Sequence, residues 1–496
     1  MKKIYATLIL SILGLDSQAS ELETTKTLKR KQAVEQGLRL PIQFNGEKLN
    51  TYSIEERLRH HKVPGFSIAV INEGKIDWAS GYGVISNTDA TQVSTDTRFQ
   101  AASIAKPVTA YAVMRMHQAG NLNIDEDIQK YLADYTLPEG KQDNANPVTF
   151  YNLLAHTSGM TSGGYLGYTQ DAEIPTDKQT LTGAAPATTK PARVEIKPGT
   201  KVQYSGAGYT LTEMALESIH KNAFDHIMVD WALKDLQMRN SSYKQPNFQA
   251  ATKIRARGHH SDGAMIEGGW RIHPEQAAAG LWSTPRDLAS FAIEMSNAYL
   301  GDSELLTKAE ATKLLTPVFP QKDLSDAFGG QPAMTFIVAG EADSFLFKHG
   351  GGNMGYRSFM LMYPHTGDGL VFMANSDAGF SVGMEILRAV SAIYDWPHYK
   401  TQTLTRAPVN AAEQSALLGQ YKFDSGWQAN IIESDKASGI AVKFPNGDVY
   451  PLSAITGSNA YVHAETGVEV AFTNTKGDVQ LHLYNQLGKR QRTATQ

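Results

Sequence analysis

The first regular pattern of apolar and polar positions along the chain lies in the stretch VPGFSIAVINEGKIDWASGYGV, residues 63–84, where two mostly apolar segments flank the polar residues Asn72-Glu73-Gly74. Short apolar segments bounded by such turn residues are typical of β-strands. The pattern predicts two strands, Phe66–Ile71 and Lys75–Gly81, which the turn at residues 72–74 joins in a hairpin.

The middle of the chain carries apolar residues at the three- to four-residue spacing of helices. The predicted helices are the one that follows Ser103, Tyr209–Ile219, and Pro285–Tyr299, for which Ser283 or Thr284 is a suitable N-cap. A Pro-, Thr- and Ala-rich stretch at residues 171–198 has weak periodicity, and we predict a long surface loop there.

Strand patterns return in the last third of the chain, followed by one more helix. The predicted elements are the strands Ser344–Lys348, Tyr356–Tyr363 and Gly369–Ala374 and a helix near Val382–Tyr394. Strands on both sides of a helical middle indicate an α+β domain, whose antiparallel sheet combines both ends of the domain's sequence.

The two ends of the chain have patterns of their own. Residues 1–19 combine two lysines, a short apolar run and a small-residue cleavage site, which predicts a signal peptide and export to the periplasm or outside the cell. Residues 20–50 are polar and predict one helix or a mobile leader. Residues 51–400 are the predicted main domain. After a proline-punctuated boundary, the short strands and turns of residues 408–496 predict a small β-barrel-like domain.

Composition narrows the class of protein. The chain has 496 residues, 42% hydrophobic and 19% charged, which is typical of a globular protein long enough for two domains. A net charge of -4 without a basic run argues against a nucleic-acid partner. No stretch after the signal peptide is apolar enough for a membrane anchor. The absence of cysteine excludes disulfides, thiol nucleophiles and cysteine-ligated zinc.

A candidate nucleophile stands where a polar segment gives way to an apolar helical run. Ser103 and Lys106 lie three residues apart, so they share one side of a helix that begins near Ser103, and Pro107 fits its first turn. A serine there lies at the positive end of the helix dipole, and a lysine held away from water has a lowered amine pKa and accepts the hydroxyl proton. The spacing alone is a weak signal, because Ser218–Lys221 and Ser241–Lys244 match it too.

Two further segments offer the partners that an activated serine needs. KPGTKVQYSGAGYTL places Tyr204 on a turn just ahead of a helix, and FKHGGGNMGYRSFM places His349 at a strand end, before three glycines. Glycines beside a strand let a substrate approach the backbone, so the N–H of Gly352 is a candidate oxyanion donor. Taken singly, Tyr204 could equally pack on the core and the glycines could form a flexible bend.

Together these segments resemble the serine β-lactamase and penicillin-binding-protein family, in particular class C β-lactamases and the related esterases, D-aminopeptidases and DD-peptidases. Ser103–Lys106 matches the Ser-x-x-Lys motif, Tyr204–Gly206 lies at the Tyr-x-Asn motif, and His349–Gly351 matches the Lys-Thr-Gly or His-x-Gly element. LLAHTSGM, AAGLWSTPRDLASF and MANSD follow in the family's order. The resemblance covers about residues 58–394. It implies a sheet flanked by helices, with an all-helical subdomain.

The resemblance also implies an acyl-enzyme mechanism. Ser103 attacks a carbonyl carbon with Lys106 as general base, and Tyr204 passes protons to the leaving group and from the deacylating water. The N–H groups of Ser103 and Gly352 form the oxyanion hole, and His349 steers the substrate or tunes Tyr204.

The residues that bind substrate depart from the family pattern. Gly350 and Gly351 match the third motif, but Gly206 stands where the family has an asparagine that contacts the substrate's amide. Glycine makes no such hydrogen bond, so the pocket loses part of its selectivity for amides. His349 in place of lysine also favours the esterase- and aminopeptidase-like relatives. His156, in LLAHTSGM, is expected to be structural.

We therefore expect an exported serine hydrolase that cleaves a small molecule or short peptide, whether a β-lactam, a D-amino-acid peptide or a carboxylic ester. The alternative is a non-catalytic sensor on the same fold that recognises cell-wall peptides or β-lactams. No cofactor is expected, since the pairs His60-His61 and His259-His260 lack a metal-ligand spacing. The C-terminal domain resembles the small lipocalin-like modules appended to such hydrolases.

Overall fold

The computed structural model describes residues 24–161, 163–245, 255–319, 329–436, 439–475, 478–484 and 486–491. These residues divide into two compact units, one formed by residues 24–31 and 54–383 and the other by residues 32–53 and 384–491. We call them the main unit and the second unit. The predicted signal peptide, residues 1–19, lies outside the described residues and stays a prediction.

The helices are numbered in chain order over the described residues. They are α1 at residues 24–35, α2 Ile54–His60, α3 Ala105–Gln118, α4 Phe150–Leu154, α5 Asp177–Thr182, α6 Gly206–His220, α7 Phe224–Met228, α8 Gln276–Ala279, α9 Pro285–Leu300, α10 Lys308–Leu315, α11 Gly379–Ile393 and α12 Ala411–Ser415. None of the described helices combines the length and the apolar character needed to cross a membrane.

The strands of the main unit form one large antiparallel sheet. They are β2 Gly65–Asn72, β3 Lys75–Ser86, β4 Asp89–Gln92, β7 Gln331–Pro332, β8 Ile337–Ala339, β9 Leu346–Asn353, β10 Tyr356–Tyr363 and β11 Asp368–Ala374, while β5 Phe99–Gln100 pairs separately with β6 Trp282–Ser283. The order in the sheet is β4-β3-β2-β11-β10-β9-β8-β7. Strands from the two ends of this unit therefore meet at β2 and β11, which confirms the predicted sheet.

The central strands are buried on both faces because helices cover the sheet. β2 and β10 read GFSIAVIN and YRSFMLMY, which are mostly apolar, and none of their residues is exposed. Helix α9 begins at Pro285, and the hydroxyl of Thr284 caps it. Of the two predicted candidates, Thr284 is therefore the N-cap. Helix α3 is buried along most of its length, so its first turn is fixed firmly in the core.

Two predicted elements are corrected by the structure. The predicted strand Ser344–Lys348 begins only at Leu346, because Ser344 ends a 3₁₀ turn. The same strand, β9, continues through the three glycines to Asn353, because these residues pair with β10 rather than forming a flexible bend. The stretch at 171–198 is not a plain surface loop. It contains α5, which Thr176 caps, and it buries apolar side chains that include Leu181 and Val194. The helix has only six residues, which is too short for a helical periodicity to be visible in the sequence.

The second unit contains a closed eight-stranded barrel, which confirms the predicted barrel-like fold of the C-terminal region. Its strands are β13 Gly419–Phe423, β14 Gln428–Glu433, β15 Ile440–Lys443, β16 Val449–Ala454, β17 Ala460–Val462, β18 Glu469–Thr475, β19 Asp478–Leu483 and β20 Gln486–Arg490. Apolar side chains fill its interior. In the same unit, β1 Ile42–Phe44 pairs in parallel with β12 Gln402–Leu404.

Candidate active site

Ser103 lies in a 3₁₀ turn, residues 102–104, that leads directly into α3. The residue before it, Ala102, has φ of 51°, in the left-handed region that costs a non-glycine residue free energy. Neighbouring elements hold this backbone in place: the Ala101 N–H donates to Leu281 O at 2.8 Å, and the Ser358 hydroxyl donates to Ala101 O at 2.8 Å. The serine is thus presented on a strained but well-supported turn.

Lys106 occupies the first turn of α3 and is 2% exposed. Its amine lies 3.2 Å from Ser103 Oγ and donates to the carbonyl oxygen of Ala278, on α8, at 2.7 Å. The predicted three-residue spacing therefore places the amine against the hydroxyl. The amine is thus placed to take up the serine proton once it has lost its own, while the carbonyl of Ala278 keeps the side chain aimed at the hydroxyl.

Tyr204 stands in the extended segment just before α6, whose N-cap is Ser205. The centre of its ring lies 4.9 Å from the Lys106 amine, and the side chain is 39% exposed. The structure thus brings together Ser103 and Lys106, at the start of α3, and Tyr204, just before the start of α6.

His156 supports Tyr204 from behind. The two rings lie 4.2 Å apart, and Nδ1 of His156 accepts a hydrogen bond from the Ser205 N–H at 3.2 Å. Burial lowers the pKa of His156 well below its ordinary value, and the Lys106 amine and His349 lower it further. The expected structural residue therefore also touches the candidate catalytic tyrosine, as an uncharged imidazole.

The glycine-rich part of β9 runs beside Ser103. β8 pairs only with residues 346–348 of β9, so the edge of β9 beyond Lys348 is open on that side. A Cβ atom at Gly351 would lie 2.3 Å from Ala101 O and 3.2 Å from Ser103 N. Only glycine permits this close approach of strand and nucleophile turn. Gly352 follows Gly351 and is exposed. Its N–H group stays the predicted oxyanion donor.

His349 is buried and faces the same site. Its Nδ1 donates to Gly350 O at 2.7 Å, which leaves Nε2 as an acceptor. Burial and the nearby Lys106 amine lower the pKa of His349 to about 3. The residue at this motif position is therefore a neutral imidazole at physiological pH, without the positive charge that a lysine would bring.

A hollow of about 330 Å³ opens on Ser103, and we call it the active-site hollow. It is lined by Ser103, Ala155, His156, Val202, Tyr204, Pro332, Ala333, Thr335, Phe336, Ile337, His349 and Gly350. With both histidines neutral, none of these described lining residues carries a charge at neutral pH. An exposed phenyl ring, Phe380, stands 4.0 Å from the position of a Cβ at Gly350. The hollow suits an uncharged, apolar group.

Gly206, the departure from the family motif, is the first residue of α6. A Cβ atom there would lie only 2.7 Å from the ring of Tyr165, whose hydroxyl is 2.7 Å from the Thr210 hydroxyl. The tyrosine thus occupies the space that a side chain at position 206 would need. The sequence did not indicate a role for Tyr165, because nothing in the surrounding loop shows that it lies next to Gly206, about 40 positions later in the chain.

Restoring asparagine at position 206 is therefore expected to destabilise the protein. The substitution Gly206→Asn should lower the free energy of unfolding by about 1–3 kcal/mol, the usual cost of overpacking. In a Tyr165→Ala background the same change should cost much less, which a double-mutant cycle in urea measures as a coupling energy of about 1 kcal/mol or more.

Gly164→Asn is the matched control, because nothing lies within 4 Å of a Cβ at Gly164. Equal losses of stability for Gly164→Asn and Gly206→Asn, or no coupling to Tyr165, would contradict this account of position 206.

Buried acids lie behind α6 and α8. The Glu213 carboxylate accepts the Ala277 N–H at 2.8 Å, one residue before the carbonyl that holds Lys106. Burial raises the pKa of Glu213, and burial also raises that of Glu275, just ahead of α8, to about 7. The hydrogen bond from Ala277 to Glu213 links α8 to α6 beside the acceptor for the Lys106 amine, a contribution that the sequence did not indicate.

Comparison with known proteins places this geometry in a family. The sequence profile described as Beta-lactamase matches residues 52–392. Protein flp of Staphylococcus aureus strain MW2 is 25% identical over 330 residues, which are 66% of this chain and 62% of that protein, so the match spans less than two thirds of the relative. Penicillin-binding protein 4 of Amycolatopsis lactamdurans is 28% identical over 185 residues, 37% of this chain and 46% of the relative.

Solved structures share the fold. The octameric penicillin-binding protein homologue from Pyrococcus abyssi superimposes with a TM-score of 0.59 at 20% identity, covering 88% of this chain and 98% of that one. EstCE1, described as a hydrolase with promiscuous acyltransferase activity, gives 0.56 at 16% identity, and the D-amino acid amidase from Ochrobactrum anthropi SV3 gives 0.56 at 19%. Each of these two covers 74% of this chain and 99% of its own. At these identities the likeness concerns the fold alone.

Proposed function

The chain belongs to the beta-lactamase family, and on that premise we propose that it is a serine hydrolase that forms an acyl-enzyme on Ser103. The observation that supports this most directly is the 3.2 Å approach of the buried Lys106 amine to Ser103 Oγ. A hydroxyl this close to a desolvated amine has the partner that a serine nucleophile needs.

The proposed reaction proceeds in two balanced steps. Ser103 Oγ attacks the carbonyl carbon while its proton passes to the Lys106 amine. The proton then reaches the leaving group through Tyr204 as the ester or amide bond breaks. Water attacks the acyl-enzyme, gives its proton back through the same groups, and releases the acid with regenerated Ser103. The Ser103 and Gly352 N–H groups are proposed to stabilise the oxyanion.

We propose an uncharged carboxylic ester with an apolar substituent as the preferred substrate. Among the described residues, the active-site hollow is lined mainly by apolar side chains, with neutral imidazoles and three hydroxyl groups, and Gly206 offers no amide contact. A free carboxylate on the substrate would lose its hydration there without gaining a charged partner among the described residues that line the hollow. This argues against β-lactams and acyl-D-Ala-D-Ala peptides as the main substrates.

Matched esters test the substrate proposal. p-Nitrophenyl butyrate and mono-p-nitrophenyl succinate have acyl groups of similar length, but the second carries a carboxylate. We expect kcat/KM to be at least about tenfold higher for the neutral ester, since an unpaired buried charge is costly. Equal or better turnover of the succinate, or efficient hydrolysis of a chromogenic cephalosporin, would speak against an ester-selective site.

Removing the Tyr204 hydroxyl is expected to slow the reaction without unfolding the protein. Because the ring is partly exposed and rests on His156, Tyr204→Phe should keep its packing and lose only the proton carrier. We expect a loss of about 10²-fold or more in kcat, measured on p-nitrophenyl butyrate. Tyr135→Phe, which removes the same atom from a buried tyrosine outside the hollow, should leave kcat unchanged. A Tyr204→Phe variant with unchanged kcat would remove Tyr204 from the mechanism.

The second candidate is a binding protein on the same fold, which the loss of a side chain at Gly206 favours. It predicts that β-lactams or cell-wall peptides raise the melting temperature without being turned over. Turnover of any ester in the panel that depends on Ser103 would decide in favour of the enzyme.

A further inference from the structure

One end of the barrel in the second unit carries a hollow of its own, of about 510 Å³, which we call the barrel-end pocket. It is lined by Trp427, Phe444, Pro445, Asn446, Asp448, Tyr450, Tyr484 and Gln486. These residues lie at or beside the turns of three hairpins, β13–β14, β15–β16 and β19–β20. Antiparallel connectivity brings these turns to the same end of the barrel, so residues from 427 to 486 converge there.

Aromatic rings dominate the pocket wall. The ring centres of Trp427, Phe444 and Tyr484 form a triangle with sides of 6.4, 6.2 and 6.4 Å, and Tyr450 lies 5.2 Å from Phe444. The planes of the three triangle rings lie within 39° of one another. A group centred above the triangle is within roughly 6 Å of all three ring centres, the range of cation–π attraction.

Neighbouring groups of the chain hold the rings in position. Trp427 stacks on Phe423 with ring centres 4.0 Å apart and planes at 4°, and its Nε1 donates to Gln486 Oε1 at 2.9 Å. Tyr484 is 58% exposed and has φ of 50°, a left-handed conformation that an aromatic residue rarely adopts. An exposed tyrosine held in a costly conformation at a pocket wall suggests a role beyond packing.

The charge at the pocket is negative. The Asp448 carboxylate accepts hydrogen bonds from Asn446 Nδ2 at 2.8 Å and from the Tyr450 hydroxyl at 3.3 Å. The described lining residues include no lysine or arginine. Burial raises the pKa of Tyr450 to about 12, and the charges of Asp448 and Glu465 contribute to that rise. A ligand that brings positive charge is therefore favoured over a neutral or anionic one.

We propose that the barrel-end pocket binds an organic cation of the quaternary ammonium type. Such a cation combines methyl groups, which suit the apolar wall, with a diffuse positive charge, which suits the aromatic faces and the Asp448 carboxylate. The ligand occupies the pocket as a headgroup, with its remaining part directed to solvent. This binding is independent of the acyl-enzyme chemistry proposed for Ser103.

Choline and its uncharged carbon analogue, 3,3-dimethylbutan-1-ol, test the proposal directly. The two molecules have nearly the same shape and differ in the charge of the headgroup. In titration calorimetry with the intact chain, choline is expected to bind at least about fivefold more tightly than the alcohol. Equal affinity for both would show an apolar hollow without cation recognition, and absence of choline binding at millimolar concentration would also overturn the proposal.

Substitutions assign the binding to this pocket. Tyr484→Ala, at an exposed turn, and Asp448→Asn, which keeps the shape and hydrogen-bond acceptor, should each weaken choline binding by about threefold or more. Asp435→Asn, an exposed aspartate in the β14–β15 turn at the opposite end of the barrel, is the matched control and should leave the affinity unchanged. Choline binding that persists unchanged in both pocket variants, or that all three variants weaken equally, contradicts the assignment.

Discussion

Replacing Ser103 with alanine is expected to lower ester turnover by at least about 10⁴-fold, because every step of the proposed reaction passes through its oxygen. Covalent labelling by a fluorophosphonate, detected as a mass increase of the intact protein, should disappear in the same variant. The protein should still fold, since the turn at residues 102–104 is held by backbone hydrogen bonds and by Ser358 rather than by the Ser103 hydroxyl.

The chain supplies its own control for this experiment. Ser218 precedes Lys221 with the same three-residue spacing, near the end of α6 and outside the active-site hollow. Ser218→Ala should retain full turnover and labelling. If the Ser103→Ala variant is still labelled, another residue is the nucleophile, whatever turnover the variant shows.

The substitution Lys106→Met is expected to reduce kcat by about 10³-fold or more, since it removes the base while keeping a side chain of similar length. The methionine fits a buried position, but it leaves the carbonyl of Ala278 without the amine donor that it has in the native protein. Some loss of stability is therefore expected, of about 1–3 kcal/mol. The measurement is kcat on p-nitrophenyl butyrate, together with urea unfolding.

Stability and catalysis are separable in this test. The loss of kcat is to be measured well below the unfolding midpoint, where the variant is folded. Lys221→Met, at the matching position of the second Ser-x-x-Lys pair, should change neither quantity much because its site is outside the hollow. A Lys106→Met variant that keeps more than about a tenth of the native kcat would rule out Lys106 as the general base.

The sequence predicted the residues that are tied to local geometry. Ser103 and Lys106 lie one helical turn apart, so the spacing together with the predicted start of the helix placed them on one side of it. Tyr204 was predicted from the turn before a helix, and the three glycines from the close approach of a substrate that they permit. The sheet followed from the strand patterns at both ends of the main unit, on either side of the helical middle.

The residues that were missed depend on contacts between distant segments. Tyr165 fills the space beside Gly206 although a loop and α5 separate them in sequence. β9 extends past its predicted end because β10 pairs with its glycines, and glycine by itself signals the opposite. The neutral state of His349 follows from burial against Lys106, which no pattern of neighbouring residues reports.

The second unit joins residues 32–53 to residues after 384, and β1 finds its partner β12 some 360 positions later. A ribosome adds about 5–20 residues per second, so the first strand waits tens of seconds before its partner exists. Until β12 has been made, β1 lacks its pairing strand and presents an unpaired backbone edge, so this part of the second unit can form only after the sequence of the main unit has been synthesised.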